Sequence, residues 1–229
     1  MKKAAQPQTR ILIVDDHPMM REGLAQLIGQ QPDLMVCGEA GDARDALEKV
    51  RVLKPNLVLA DITLPGRNGL ELIKDIQALD AGVPVLIISM HDEAFYAERV
   101  LRAGGRGYIM KQEGGKKIME AIRRVSAGQI FVSEKMSARI LEIFSGRRPE
   151  AGQSPLENLT DREFEVFQLI GQGIETKELA RELGVSPKTI EVHRANIKAK
   201  LRLKTMGELI RYAIRWVESE KGEEKGDQP

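Results

Sequence analysis

Residues 56–69 read NLVLADITLPGRNG, and the fold is decided there. Leu57, Val58, Leu59 and Ala60 form an unbroken apolar run bounded by Pro55 and Asn56, the pattern of a short strand covered on both faces. Asp61 stands at its carboxyl end, ahead of a loop carrying Pro65, Gly66 and Gly69. In open α/β sheets, ligands collect just beyond the carboxyl ends of the strands. A lone aspartate in that place is more often a turn former or helix cap. Its meaning depends on what distant parts of the chain bring to it.

Outward from this stretch, the same apolar signature recurs at Arg10–Val14, Leu34–Cys37, Val83–Ile88 and Gly107–Met110. Helical patterns alternate with these runs. Their apolar faces are Leu24, Leu27 and Ile28; Ala43, Ala46, Leu47 and Val50; and Leu70, Leu72, Ile73 and Ile76. A fourth helix is expected from about Glu93 to Arg102, and a fifth carries Ile118, Ala121, Ile122 and Val125. Five strands alternating with five helices predict an α/β domain, a doubly wound five-stranded parallel sheet with helices on both faces.

Polar residues gather at one end of these strands. Asp15 and Asp16 follow the first, Asp61 the third, Ser89 the fourth and Lys111 the fifth. Three carboxylates without histidine or thiol partners make an anionic, oxygen-rich cavity in which each charge opposes the others. A hard divalent cation such as Mg²⁺ relieves that repulsion and suits oxygen ligands, water and phosphate. Lys111 can serve a phosphate oxygen as a point charge, or simply pair with the acidic residues; Ser89 can donate a hydrogen bond. An aspartate with a cation and a lysine is equipped to capture a phosphoryl group covalently.

Residues 10 to 127 resemble the receiver domain of two-component response regulators, the flavodoxin/CheY-like fold. The likeness rests on Asp15-Asp16, on Asp61 with Pro65, Gly66 and Gly69, on IISMHD around Ser89, and on GYIMK with Tyr108 and Lys111. It implies a strand order of 2-1-3-4-5 and phosphorylation of Asp61 by the phosphohistidine of a sensor histidine kinase. It also implies Mg²⁺ bound by Asp16, Asp61 and the Thr63 carbonyl, with Asp15 acting largely through water. Ser89 and Lys111 would hold the phosphoryl oxygens, and Tyr108 would turn inward when Ser89 moves. His91 is expected to be a solvated loop residue. His17 either modulates access to the acidic pair or simply lies at the helix entrance.

The chain has 229 residues, 42% hydrophobic and 30% charged, enough for two modest domains with real cores. A net charge of +1 gives no overall bias towards nucleic acid or membrane. Cys37 is the sole cysteine, which excludes an intrachain disulfide; its apolar neighbours predict a buried, inert thiol. Residues 1–9 lack an apolar signal core and no run approaches membrane-spanning length, so a cytoplasmic protein is expected, without membrane association.

Beyond the receiver, an amphipathic helix is expected from Ser133 to Phe144, followed by SGRRPEAGQSPLEN (145–158), which reads as a flexible linker. Thr160 and Glu163 form a capping box, with Leu159 and Phe164 placed to staple it. Leu183-Gly184-Val185-Ser186 joins two short helices as in a helix-turn-helix, and Ser186 with Pro187 opens the second. Between 188 and 204 six positive charges oppose one negative, a local excess of +5. Such a run is often a plain solvated face; beside a helix-turn-helix it predicts phosphate contacts on double-stranded DNA.

Residues 159 to 203, SPKTIEVHRANIKAKL above all, resemble the LuxR/FixJ/NarL type of DNA-binding domain, an all-α four-helix unit whose third helix reads DNA. By that likeness Glu191, Val192 and Arg194 face bases, whereas Lys188, Thr189, His193 and Lys200 contact the DNA backbone. The last helix, Met206 to Val217, could pack in the core or form a homodimer seam in the phosphorylated protein.

The expected organisation is a disordered segment at 1–9, a receiver at 10–130, a connector and linker at 131–158, a DNA-binding domain at 159–217 and a disordered tail at 218–229. The expected function is a phosphorylation-dependent transcription regulator of the NarL/FixJ type, whose only chemistry is gaining and losing the phosphoryl group on Asp61. Two rivals are an aspartyl-phosphate phosphatase with a DNA-binding appendage, and a constitutive DNA-binding protein with a vestigial receiver.

Overall fold

The computed structural model describes residues 8–80, 82–144 and 155–223. The chain divides into two compact units, residues 1–145 and 146–229.

In the first unit, strands β1 (Thr9–Val14), β2 (Leu34–Ala40), β3 (Leu57–Ala60), β4 (Val85–Ser89) and β5 (Gly107–Met110) form one parallel sheet in the order β2-β1-β3-β4-β5. The strands alternate with helices α1 (Pro18–Gly29), α2 (Ala43–Leu53), α3 (Gly69–Leu79), α4 (Glu93–Arg102) and α5 (Gly114–Ser126). Ile11, Ile13, Leu57, Leu59, Leu86, Ile88 and Ile109 turn to one face, where Leu24 and Ile28 of α1 and Ile118, Ile122 and Val125 of α5 cover them. Helices α2, α3 and α4 pack side by side as the other layer. Every residue of β3 is fully buried, as a central parallel strand requires.

The structure departs from the sequence expectations at several places in this unit. Cys37 is half-buried rather than buried: the β1–β2 register skips it between Val36 and Gly38, so it is the extra residue of a bulge on the edge strand. Burial still pushes its thiol upwards, against the Arg10 charge. Phe131, placed in the connector by its sequence, bridges to Gly107 and belongs to the main core. The connector helix α6 (Glu134–Phe144) follows, with Met136 buried and the Ser133 hydroxyl accepting from the Met136 amide at 3.1 Å.

In the second unit, Pro155–Asn158 forms a 3₁₀ turn with Leu156 buried, so the expected linker ends at its last residues in packed structure. Residues 145–154 lie outside the described segments. Helix α7 (Asp161–Gly171) begins with the full Thr160/Glu163 capping box. Helices α8 (Thr176–Glu182) and α9 (Pro187–Lys200) are joined through Gly184, whose φ of 63° lies in the left-handed region. Helix α10 (Met206–Glu223) runs beyond the expected Val217 into the segment read as a disordered tail, because Glu and Lys sustain a helix well. Residues 224–229 are outside the described range. Leu209 and Ala213 of α10 are buried within the unit, and Trp216 meets Phe164 and Phe167 at 5.5 and 5.7 Å. Core packing thus takes up Leu209 and Ala213 of the apolar side offered as a dimer seam, while Met206 and Ile210 stay partly exposed. No helix among the described residues is long and apolar enough to cross a membrane.

Candidate functional site

The end of β1 delivers Asp15 and Asp16, the end of β3 delivers Asp61, and Lys111 opens the turn after β5. Asp15 is fully buried and Asp61 nearly so. Lys111 Nζ donates to Oδ2 of both aspartates, each at 2.7 Å, and its side chain is only 5% exposed. Carboxylate oxygens of Asp15, Asp16 and Asp61 and a ring nitrogen of His17 lie within 4.8 Å of one another. The His17 amide donates to Asp15 Oδ1 at 2.8 Å, and His17 Nδ1 sits 2.7 Å from Asp16 Oδ1.

One ammonium faces more than one carboxylate here. Burial pushes the Asp61 carboxyl above its ordinary range; Lys111 opposes that shift and Asp15 reinforces it. Burial alone would lower the Lys111 ammonium, yet Asp61 and Asp15 hold it above the usual lysine value. The cavity therefore retains its ammonium and has acceptor capacity left for a second cation. Asp16 Oδ1 is shielded from solvent and takes no hydrogen bond of good geometry among the described residues, with the His17 ring nitrogen 2.7 Å away as its close neighbour. Hard oxygen donors in that arrangement fit a divalent metal ion.

Thr63 is exposed, and its amide lies 3.4 Å from Asp61 Oδ1. Ser89 is completely buried, with Oγ accepting the His91 amide proton at 3.2 Å. Tyr108 already lies inward, 1% exposed, and donates its hydroxyl proton to the His91 carbonyl oxygen at 2.7 Å. Burial drives the Tyr108 phenol well above its normal value, so it stays a donor.

His91 is not the solvated residue expected from its loop position. Its Nε2 contacts Thr63 Oγ1 at 3.1 Å, its ring packs 5.2 Å from that of Tyr96, and burial and the Lys111 charge lower its pKa. It is effectively neutral at neutral pH. His17 lies at the entrance of α1 as its N-cap residue and also touches the acidic pair.

In the second unit, α9 presents Lys188, Glu191 and Val192 to solvent, and Thr189 is half-exposed. Arg194, expected to face bases, turns back: its side chain is 15% exposed and donates to Thr176 Oγ1 and to Glu191 Oε1, the latter at 3.2 Å. His193 is half-buried; burial and the Arg162 charge lower its pKa, against the pull of Glu163. Lys200 donates to Glu163 Oε2 at 2.6 Å. Burial would raise the Glu163 carboxyl, but the Lys200 and Thr160 contacts hold it below its ordinary value. The local excess of positive charge is therefore partly compensated inside the fold. Ala195, Asn196 and Ala199 share the exposed side with Lys188 and Val192. Sequence reasoning passed over Asn196, although its spacing from Val192 places it one turn along the same face.

Comparison with known proteins gives each unit a family. The Response regulator receiver domain family matches residues 11–123, and the luxR family of bacterial regulatory proteins matches residues 157–213. The Oxygen regulatory protein NreC of Staphylococcus carnosus is 33% identical over 90% of this chain and 97% of its own. The Staphylococcus aureus protein of that name is 35% identical over the same shares. A LuxR-family response regulator from Aurantimonas sp., 35% identical, covers 60% of this chain and 99% of its own with a TM-score of 0.56. Salmonella RcsB, bound to the rprA promoter with a phosphomimetic, shares the fold at 23% identity and a TM-score of 0.64 over 90% of this chain and 98% of its own.

Proposed function

This chain belongs to the two-component response regulators that join a receiver to a LuxR-type DNA-binding domain, and on that premise we propose that Asp61 is its phosphoacceptor. The protein is a DNA-binding transcription regulator. The observation that carries the assignment is the placement of Lys111 Nζ 2.7 Å from both Asp15 and Asp61, with a carboxylate oxygen of Asp16 close by. A carboxylate oxygen of Asp61 attacks phosphorus of a phosphohistidine on a sensor histidine kinase. The P–N bond breaks and the imidazole leaves with the electron pair. Lys111 transfers its hydrogen bond from Asp61 to a phosphoryl oxygen, and the Ser89 hydroxyl donates to another.

Asp15, Asp16 and Asp61, with the Thr63 carbonyl, would hold Mg²⁺. Its charge would offset that of the carboxylates and of the incoming phosphoryl group. The reaction is self-modification followed by hydrolysis, with no external substrate turned over. The receiver comprises residues 10–130 together with the connector helix that packs on it. The DNA-binding domain comprises residues 159–217 with the turn before it and the helical turns after. Its α9 enters the major groove of double-stranded DNA: Lys188 and Thr189 approach phosphates, while Val192 and Asn196 face bases. Glu191 stands exposed on the same helix, His193 is half-buried beside it, and Arg194 and Lys200 brace the helix against Thr176 and Glu163. The phosphorylated protein acts as a homodimer on paired half-sites in the cytoplasm.

Operator affinity, measured for wild type and Asp61→Asn with and without acetyl phosphate and Mg²⁺, tests the reading. Wild type gains affinity with the donor and Asp61→Asn does not; equal affinity throughout would favour a constitutive DNA-binding protein. Steady turnover of external phosphate esters would favour a phosphatase.

A further inference from the structure

The approach to the connector helix α6 is tied by one hydrogen bond to Tyr108 of β5 and by another to Glu93, which follows the loop after Ser89. On one side the Tyr108 amide donates to the Phe131 carbonyl at 2.8 Å, while the Tyr108 hydroxyl donates to the His91 carbonyl at 2.7 Å. On the other side the Ser133 amide donates to Glu93 Oε1 at 2.7 Å, and Glu93 is the first residue of α4. Ser89 enters through the His91 amide, 3.2 Å from its hydroxyl. Residues 89, 91 and 93 on one strand end and 131 and 133 on the connector are thereby joined with Tyr108 into a closed circuit. Ser133 lies at the head of α6, so any movement of the 89–93 loop acts on that helix at its first turn.

We propose that Glu93 is a positioning residue that passes the state of the phosphorylation site to α6 through its hydrogen bond to the Ser133 amide. The relay rests on the reading of Asp61 as phosphoacceptor. When Ser89 turns to a phosphoryl oxygen it gives up the His91 amide. The 91–93 loop then shifts, and the Glu93 carboxylate carries Ser133 with it. A charged acceptor suits this task, since a hydrogen bond to an ionised group is about twice as strong as a neutral one.

Hydrogen–deuterium exchange on the full chain tests the relay, with acetyl phosphate and Mg²⁺ as donor and the mass of the Asp61 peptide read in the same samples. In wild type, donor changes exchange in peptides spanning both 89–95 and 131–144. In Glu93→Ala, exchange around Ser133 without donor rises about tenfold, as expected for losing a bond to a charged group. Asp61 is still labelled there and 89–95 still responds, but the donor-dependent change at 131–144 is lost. Glu93→Gln keeps an acceptor oxygen and restores most of that change. An undiminished response at 131–144 in Glu93→Ala overturns the relay alone, as does its equal loss in Glu93→Gln. An unlabelled Asp61 in wild type overturns the phosphoacceptor reading and the relay with it.

Discussion

Gly69 lies against the main chain of Asp61 so closely that a Cβ at position 69 would sit 2.5 Å from the Asp61 carbonyl oxygen and 2.9 Å from Ile62 Cα. The obstacle is backbone, which cannot rotate aside as a side chain can. The Gly69 amide also donates to the Ile62 carbonyl at 2.7 Å, pinning the start of α3 to the residue after Asp61. The loop between Asp61 and α3 is thus closed by a residue that must be glycine.

Gly69→Ala is therefore expected to destabilise the first unit by about 1–3 kcal/mol, the usual range for overpacking a tight site. Urea titration checks this. An unchanged midpoint would mean the loop relaxes freely. Labelling of Asp61 by acetyl phosphate should fall too, because the displaced atoms belong to the acceptor residue.

Lys111→Met leaves Asp15 and Asp61 buried without their common cation. Removing one partner from a buried ion pair costs roughly 3–5 kcal/mol in general. A loss of about 2–4 kcal/mol is expected at pH 7, since the neighbouring carboxylates can share a proton. The Asp61 carboxyl is already raised, so acidification protonates it in the folded state before the unfolded one. The deficit of the variant should therefore shrink from pH 7 towards pH 5, and Mg²⁺ should reduce it at pH 7. In wild type the raised Lys111 ammonium contributes fully at neutral pH; that contribution is lost only as pH climbs through its elevated folded value. Equal stability of variant and wild type at both pH values would contradict the assigned charge balance.

Glu163→Gln removes both the Lys200 partner and the charged half of the α7 capping box. A loss of about 1–2 kcal/mol is expected in the second unit, at the modest end because Lys200 stays partly solvated. The folded Glu163 pKa lies below its unfolded value of 4.5, so the stabilisation is present above pH 4.5 and fades as pH falls through the folded pKa. Thermal melts of wild type and variant should converge in acid. A constant difference down to the lowest pH tolerated would contradict the ionised pairing.

On the DNA-facing side, Lys188→Ala should weaken binding to all sequences and reduce the slope of log affinity against log salt by about 1. Asn196→Ala should instead change preference among operator variants. Arg194→Ala should lower stability by about 1 kcal/mol and weaken DNA binding without altering sequence preference, because its guanidinium braces Thr176 and Glu191. A change of preferred bases in Arg194→Ala would return that residue to the reading surface.

The receiver was legible because its strands are buried on both faces. A continuous run such as LVLA needs no alternation to be recognised, and the polar residues that end four of the five runs mark the common edge where Asp15, Asp61 and Lys111 meet. Residues whose surroundings come from elsewhere in the chain were less readable. His91 has a loop address, but contacts with Thr63 and Tyr96 leave it only partly exposed. Arg194 and Lys200 count as free charges until the fold sets Thr176 and Glu163 against them. Phe131 forms one bridge and Leu156 fills one gap, and a single residue carries no periodicity. Cys37 was misjudged because alternation along an edge strand cannot reveal a bulge.

The most direct test of the central claim is mass spectrometry of the intact chain after acetyl phosphate and Mg²⁺, with the adduct mapped by borohydride trapping. One phosphoryl group labile to both acid and alkali, and released by hydroxylamine, is expected on the peptide containing Asp61, absent from Asp61→Asn and from samples without divalent cation. An adduct on another residue, or none under conditions where the chain is folded, would contradict it.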